Sequence, residues 1–161
     1  MLASDASNRL PDDFLNSLKS SLPTERLLLD AAQCWAYGFD NSRKQSTPQA
    51  VALPVTHEEV VSITKLCNHY RVPLVLRGRG TGTTGGSVPV QGGLVMSMEQ
   101  MNRIIEVDLK NRLMRVEPGV TNQTVQDVAA ENGFFWAPDP GSASAVSYTH
   151  LRAHETGVEI S

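Results

Sequence analysis

The chain has 161 residues, 40% of them hydrophobic and 19% charged, with a formal net charge of −3. That composition excludes a disordered tract and supplies one domain with enough apolar side chain for a core, while the slight acidic balance excludes a broad basic face for nucleic acid. No run approaches the ~20 apolar residues of a membrane span, the N-terminus lacks a secretory leader's apolar stretch, and Cys34 and Cys67 stand in no metal-like spacing, so a soluble, cytoplasmic protein with two buried reduced thiols is expected.

Phe14, Leu15, Leu18 and Leu22 recur at helical spacing behind Asp12 and Asp13, which favour the positive end of a helix dipole, and predict a short N-terminal helix. The next run begins helix-like at Thr24 and dissolves into the polar residues 40–49, read as a linker into the main domain. "AVALP" predicts a short strand. "THEEVVSITKLCNHY" predicts a helix with Thr56 as its N-cap and Glu59 three positions on, a capping box, with Val60, Ile63, Cys67 and Tyr70 on the inner face. "VPLVL" predicts a second strand, so the order is strand, helix, strand, with a right-handed parallel crossover expected. Further strands are predicted in "GGLVMSM", "RIIEVD" and "LMRVEPG", the last two as a hairpin turning near Lys110 and Asn111. Thr121 then caps the helix "NQTVQDVAAEN", which Gly133 stops, and "FFWAPDPGSAS" is a brief apolar run ending in a Pro/Gly turn cluster.

The stretch "RGRGTGTTGG", residues 77–86, leaves the C-terminal end of the second strand, the end at which α/β units bind ligands. Half of its positions are glycine, so its backbone must bend sharply or approach something closely. "GTGTTG" matches G-x-G-x-x-G, but a dinucleotide fingerprint needs a helix opening at its third glycine, and here "GSVPVQGG" follows. A P-loop would need Gly-Lys-Ser/Thr, and a protein-kinase loop would need Val at Ser87 and a later lysine strand. Two readings remain. Successive amides can form an anion nest, with Arg77 and Arg79 adding charge-assisted hydrogen bonds, or the loop is a tight connection with its arginines in solvent.

The segment from "TPQAVALPVTHEEVV" through "RGRGTGTTGG", "GGLVMSMEQMNRIIEVD", "VEPGV" and "WAPDPGS" resembles FAD-linked oxidases of the vanillyl-alcohol-oxidase (PCMH) type, in their glycolate oxidase and D-lactate dehydrogenase branch. The resemblance implies an α+β, FAD-binding type-2 domain: a parallel βαβ unit followed by a mixed sheet, present as the N-terminal half of a truncated whole. It implies an N-terminal helical segment and linker over 1–42 and the incomplete flavin domain over 43–145. Arg77, Gly78, Arg79, Gly80, Thr81, Gly82, Thr83, Thr84, Gly85 and Gly86 would wrap the FAD pyrophosphate, chiefly through backbone amides. Pro118, Gly119 and Val120 would lie along the cofactor, as would Pro138, Asp139, Pro140, Gly141 and Ser142; for Asp139 a turn-forming role stands beside the cofactor role. Relatives that bind flavin covalently through this loop carry a histidine at the position of Thr81, so noncovalent FAD is implied, while Arg79, Thr83 and Thr84 depart from the family pattern. The implied activity is oxidation of a 2-hydroxy acid by hydride transfer to flavin, with an iron–sulfur subunit or quinone accepting electrons and the parent protein lying in the cytoplasm or at the inner face of the membrane. The alternatives are a sugar or aryl-alcohol oxidase on the same fold, or a nucleotide-binding module without chemistry.

Residues 146–161, "VSYTHLRAHETGVEIS", resemble the translation of a transposon-type sequencing adapter and are read as a non-native tail. This removes His150, His154 and Glu155 as a metal site, and no metal is expected. Catalytic residues and the substrate site are expected downstream of the break, and the fragment alone is expected to be inactive, marginally stable and prone to aggregate. His57 and His69 are read as solvated helix-end residues, Trp35, Phe134, Phe135 and Trp136 as core packing, and Met96, Met98, Met101 and Met114 as fillers of core gaps.

Overall fold

A computed structural model describes residues 9–137 and the pair 158–159. Helix α1 (Asp12–Ser21) starts after Pro11 and carries Asp12 and Asp13 in its first turn, where acidic side chains complement the N-terminal partial charge. It buries Phe14 and Leu18 completely, and each such side chain contributes about 1.5–3 kcal/mol. The run expected to continue as a helix from Thr24 breaks instead. Thr24–Arg26 forms one 3₁₀ turn, β1 (Leu27–Leu28) follows as a strand, and Asp30 starts the short helix α2 (Ala31–Trp35) by accepting from the amides of Ala32 and Gln33. Pairing overrides local propensity here, because β1 runs antiparallel to β2 (Ala50–Ala52) and so satisfies its backbone groups on a neighbour.

Helix α3 (His57–Tyr70) begins at Thr56, whose hydroxyl accepts from the Glu59 amide. The Glu59 carboxylate accepts from the Val55 amide at 2.8 Å and from both ends of the Arg26 guanidinium at 2.6 and 2.8 Å, which ties the 3₁₀ turn to the start of α3. Arg71, in the left-handed region at φ 57°, ends the helix. Strand β3 (Leu74–Arg77) follows, then the glycine loop, then β4 (Leu94–Ser97).

The first sheet has the order β1–β2–β4–β3. β2 and β3 are both parallel to β4 and do not pair with each other, so the strand that comes last in sequence sits between the two arms of the βαβ unit. All four residues of β4 are buried, as expected of a central parallel strand covered on both faces. Its side chains alternate: Leu94 and Met96 join Phe14, Leu18, Ile63 and Cys67 beneath α1 and α3, while Val95 meets Cys34, Val51 and Leu53 on the other face. The outer edge of β3 has no partner strand among the described residues, and Leu76 on it is 56% exposed.

A second, antiparallel sheet follows, with β5 (Ile104–Asp108) and β6 (Leu113–Val116) as the expected hairpin. Helix α4 (Asn122–Glu131), capped by Thr121, packs Val125 and Ala129 against Met114 and Val120, and Gly133 at φ 77° follows its end. β7 (Val158–Glu159) adds antiparallel to β6. The tail set outside the fold thus contributes two residues of strand, because the open edge of a hairpin accepts any extended segment that can pair with it.

Cys34 and Cys67 are free and buried, and burial pushes the Cys67 thiol up to about 11. Met96, Met98, Met101 and Met114 are all buried. Trp35 is not core: it is 53% exposed and tilts against Phe39 at 5.2 Å between ring centroids, because α2 is a single short turn whose buried side is filled by Cys34. Phe135 is likewise 69% exposed, whereas Phe134 and Trp136 pack on the second cluster and the Trp136 indole N–H donates to Asn122 Oδ1 at 2.7 Å. His57 and His69 are exposed at the two ends of α3. No helix among the described residues is long and apolar enough to cross a membrane.

Candidate functional site

The glycine loop leaves β3 at Arg77 and does not enter a helix, which excludes the Rossmann arrangement in structure as in sequence. Gly80 and Gly85 have φ of +68° and +85°, in the left-handed region that side chains disfavour. A Cβ on Gly80 would overlap the Arg77 guanidinium. That guanidinium lies under the loop, buried at 8% exposure, and donates from Nη1 to the Phe39 carbonyl at 2.6 Å while standing 5.8 Å from the Tyr37 ring centroid. Burial lowers its pKa, and the nearby charges of Glu99 and Asp40 oppose that fall. Arg79, by contrast, is exposed and lines an open cavity of about 470 Å³ with Glu99, Gln100 and Asn102. The two arginines read together in the sequence therefore face different ways.

Residues 40–49, expected as a linker, fold against the loop. The Asn41 amide donates to the Gly82 carbonyl at 2.9 Å, and its side-chain amide donates to the Thr81 carbonyl at 3.4 Å. Asp40, buried, accepts from the Ser42 amide at 2.9 Å and from the Ser87 hydroxyl at 3.3 Å. Burial alone would raise the Asp40 carboxyl, but the hydrogen bonds from Ser42 and Ser87 outweigh it and hold the group below its ordinary value. Tyr37 donates its phenol to Glu99 Oε1 at 2.9 Å, and the fully buried Ser97 hydroxyl donates to Glu99 Oε2 at 3.1 Å. Burial, then the bond to Glu99, pushes Tyr37 up to about 12, so it stays a donor at neutral pH.

These contacts decide which way the loop's amides point. In a trans peptide, C=O and the following N–H project to opposite sides. No cis peptide occurs among the described residues, so turning the Thr81 and Gly82 carbonyls toward Asn41 turns the Gly82 and Thr83 N–H groups away from it. No described residue accepts from either of these two amides. Two successive outward donors on an exposed crest are the elements of an anion nest. Gly86 adds a second sign of a close approach. It has no positive φ, and a Cβ on it would meet only the Thr84 hydroxyl at 3.9 Å, so the fold itself does not require glycine there.

The turn at Pro118, Gly119 and Val120 is joined to the same end of the sheet. The Gly119 amide donates to the Met101 carbonyl at 2.7 Å, a Cβ on Gly119 would overlap the Met98 carbonyl, and the Met98 amide donates to the Arg77 carbonyl at 2.9 Å. Pro118 is half-buried, and the Val120 side chain is 1% exposed in the core, so this turn offers backbone and the proline ring rather than the valine. Buried Glu117 anchors the turn by accepting from the Arg103 amide at 2.8 Å and from its guanidinium at 2.6 and 3.0 Å, bonds that hold its carboxyl below the ordinary value. Pro138, Asp139, Pro140, Gly141 and Ser142 lie outside the described residues, as do His150, His154 and Glu155. Asp40, Asn41 and Glu99 are site residues that sequence reasoning missed. Asp40 and Asn41 open a polar run after Phe39 that equally suits a solvated connector, and Glu99 follows a strand with no motif around it.

A family profile described as an FAD binding domain matches residues 48–149. The glycolate oxidase subunit GlcD of Escherichia coli (strain K12) is 34% identical over 143 residues, covering 86% of this chain and 29% of that protein. The D-lactate dehydrogenase of Archaeoglobus fulgidus is 38% identical over 128 residues, covering 76% of this chain and 29% of that protein. Among solved structures, p-cresol methylhydroxylase superposes with a TM-score of 0.72 at 27% identity, covering 83% of this chain and 27% of that one. Alkyldihydroxyacetonephosphate synthase superposes at 0.76 with 22% identity, covering 84% and 30%, a likeness of fold. The chain thus spans less than a third of the length of these relatives.

Proposed function

The chain belongs to the FAD binding domain family, and from that premise we propose that its glycine loop holds the pyrophosphate of noncovalent FAD in an oxidoreductase acting on a 2-hydroxy acid of the glycolate or D-lactate type. The observation that carries the cofactor reading is the outward turn of the Gly82 and Thr83 amides beside the open backbone of Gly86. Two successive amide dipoles turned away from Asn41 suit a doubly charged diphosphate bridge, and the glycine at 86 lets the group approach the main chain. In this reading the other backbone groups of 78–86 complete the cradle, Arg79 faces the ligand across the open cavity, and Arg77 supports the loop from beneath. Pro118 and the backbone of Gly119 and Val120 lie along the cofactor, with residues 138–142 continuing that surface. Residues 43–145 would then form the FAD-holding unit, with the helical segment packed against it.

When bound, FAD supplies a two-electron acceptor for hydride. In this reading the residues of this chain bind and orient it. The hydroxy-acid class, with an iron–sulfur subunit or quinone as electron acceptor, is supported by the names of the relatives in E. coli and A. fulgidus. The test is anaerobic titration of the purified full-length protein with glycolate, D-lactate, a hexose and an aryl alcohol. Bleaching of flavin absorbance by the hydroxy acids alone is expected. Bleaching by the sugar or aryl alcohol alone would transfer the protein to another oxidase class, and a bound flavin that no substrate reduces would leave a nucleotide-binding module.

A further inference from the structure

We propose that the turn spanning residues 37–44 is a positioning clamp that presets the glycine loop for its ligand, with the Asp40 carboxylate as its pivot; this rests on the reading of the loop as the diphosphate site. The turn holds the loop at three places: the Phe39 carbonyl takes the Arg77 guanidinium where the loop begins, Asn41 takes the Thr81 and Gly82 carbonyls at the crest, and Asp40 takes the Ser87 hydroxyl where the loop ends. A loop half made of glycine is costly to order, because each glycine gives up more backbone freedom than any other residue. A ligand that had to order it would lose that from its affinity, whereas a loop already held loses little.

Asp40 is the buried member of the turn, and hydrogen bonds rather than a salt bridge hold it. A buried carboxylate without an ion pair is unfavourable, and among the described residues no salt bridge includes Asp40. Its two oxygens instead serve geometry. One accepts from the Ser42 amide and so bends residues 40–42 back toward the loop, and the other reaches the Ser87 hydroxyl across 47 positions of sequence. That bend places the neighbouring Asn41 amide against the Gly82 carbonyl, and the direction of the Gly82 and Thr83 amides follows from it. Asp40 is thus a positioning residue that acts through Asn41 and Ser87 and need not touch the ligand.

The test compares Asp40→Ala, Asp40→Asn and the milder Ser87→Ala in the full-length protein. Limited trypsin digestion without ligand, read by mass spectrometry, follows cleavage after Arg79, with Lys65 and Arg71 around α3 as internal controls. Asp40→Ala is expected to speed cleavage after Arg79 about tenfold while the controls stay unchanged, because local opening sets that rate. Asparagine retains an acceptor for the Ser42 amide and a polar partner for Ser87, so Asp40→Asn should remain within about threefold of wild type, and Ser87→Ala should fall between the two. FAD titration followed by flavin fluorescence should rank the affinities in the same order, with a Kd about tenfold higher for Asp40→Ala. Unchanged cleavage after Arg79 in both Asp40→Ala and Ser87→Ala, equal acceleration at the control sites, or an asparagine variant as loose as the alanine one would each overturn the clamp. If wild type binds no FAD, the diphosphate reading fails, and the digestion still decides whether the turn holds the loop.

Discussion

Two glycines of the same loop are expected to respond oppositely to one added methyl group. At Gly80 the backbone sits at φ +68° and the new Cβ would run into the Arg77 guanidinium. The left-handed conformation costs a non-glycine residue about 1–2 kcal/mol, and displacing a buried, hydrogen-bonded guanidinium costs about 1–3 kcal/mol more. Gly80→Ala should therefore lower stability by about 2–5 kcal/mol, a large fraction of the 5–15 kcal/mol typical of a domain. At Gly86 the methyl would meet only the Thr84 hydroxyl at 3.9 Å, without a positive φ. Gly86→Ala should leave the fold intact, or raise its stability by about 0.4–1 kcal/mol through the smaller entropy of the unfolded chain. Yet it places a carbon where the proposed diphosphate would approach, so FAD affinity should fall at least about tenfold, or about 1.4 kcal/mol. Urea denaturation of the ligand-free protein followed by circular dichroism reads the first effect, and flavin titration reads the second. A Gly86→Ala protein that binds FAD as tightly as wild type would refute the placement of the ligand at the crest. A Gly80→Ala protein of wild-type stability would refute the account of Arg77 as the support beneath it.

Other perturbations test the frame that carries the loop. Glu59→Ala removes the bidentate partner of Arg26 and the acceptor of the Val55 amide at once, while the Glu59 amide keeps its bond to the Thr56 hydroxyl; a loss of about 2–4 kcal/mol in urea denaturation is expected, and a loss under about 0.5 kcal/mol would show the pair to be ornamental. Acid should destabilise the protein. Asp40, Glu59 and Glu117 are all held below their ordinary values, by hydrogen bonds outweighing burial in the first and by arginine partners in the other two. Their contribution is complete above the ordinary carboxylate range and is lost as pH falls through and below it, so the urea midpoint should hold from about pH 7 to 6 and decline from about pH 5 downward. A midpoint that is flat or rising between about pH 5 and 3 contradicts this assignment.

What the sequence made legible was local. Thr56 with Glu59, Thr121, Gly133 and the turn near Lys110 mark their element ends through bonds made within a few residues, and each stands where expected. What it hid was set by distant partners. Nothing near Leu27 and Leu28 announces a strand, since only β2 makes them one. Nothing in "GGLVMSM" says that β4 will insert between β2 and β3. The two arginines of the loop share one local pattern, and the Phe39 carbonyl, 38 residues away, separates the buried one from the exposed one. Residues 40–49 read as a connector because their polar groups satisfy the loop's carbonyls and hydroxyls instead of filling a core. Trp35 shows the converse, a large apolar residue that finds no core because α2 is too short to turn it inward.

Amide-resolved NMR of the ¹⁵N-labelled protein titrated with FAD decides whether the amides of residues 78–86 close around the FAD diphosphate, as proposed. The Gly82, Thr83 and Gly86 amides are expected to shift most, saturating at one FAD per chain, and ADP is expected to shift the same three while riboflavin, which lacks the diphosphate, leaves them in place. Shifts that avoid these amides, or that riboflavin reproduces, would contradict the proposal.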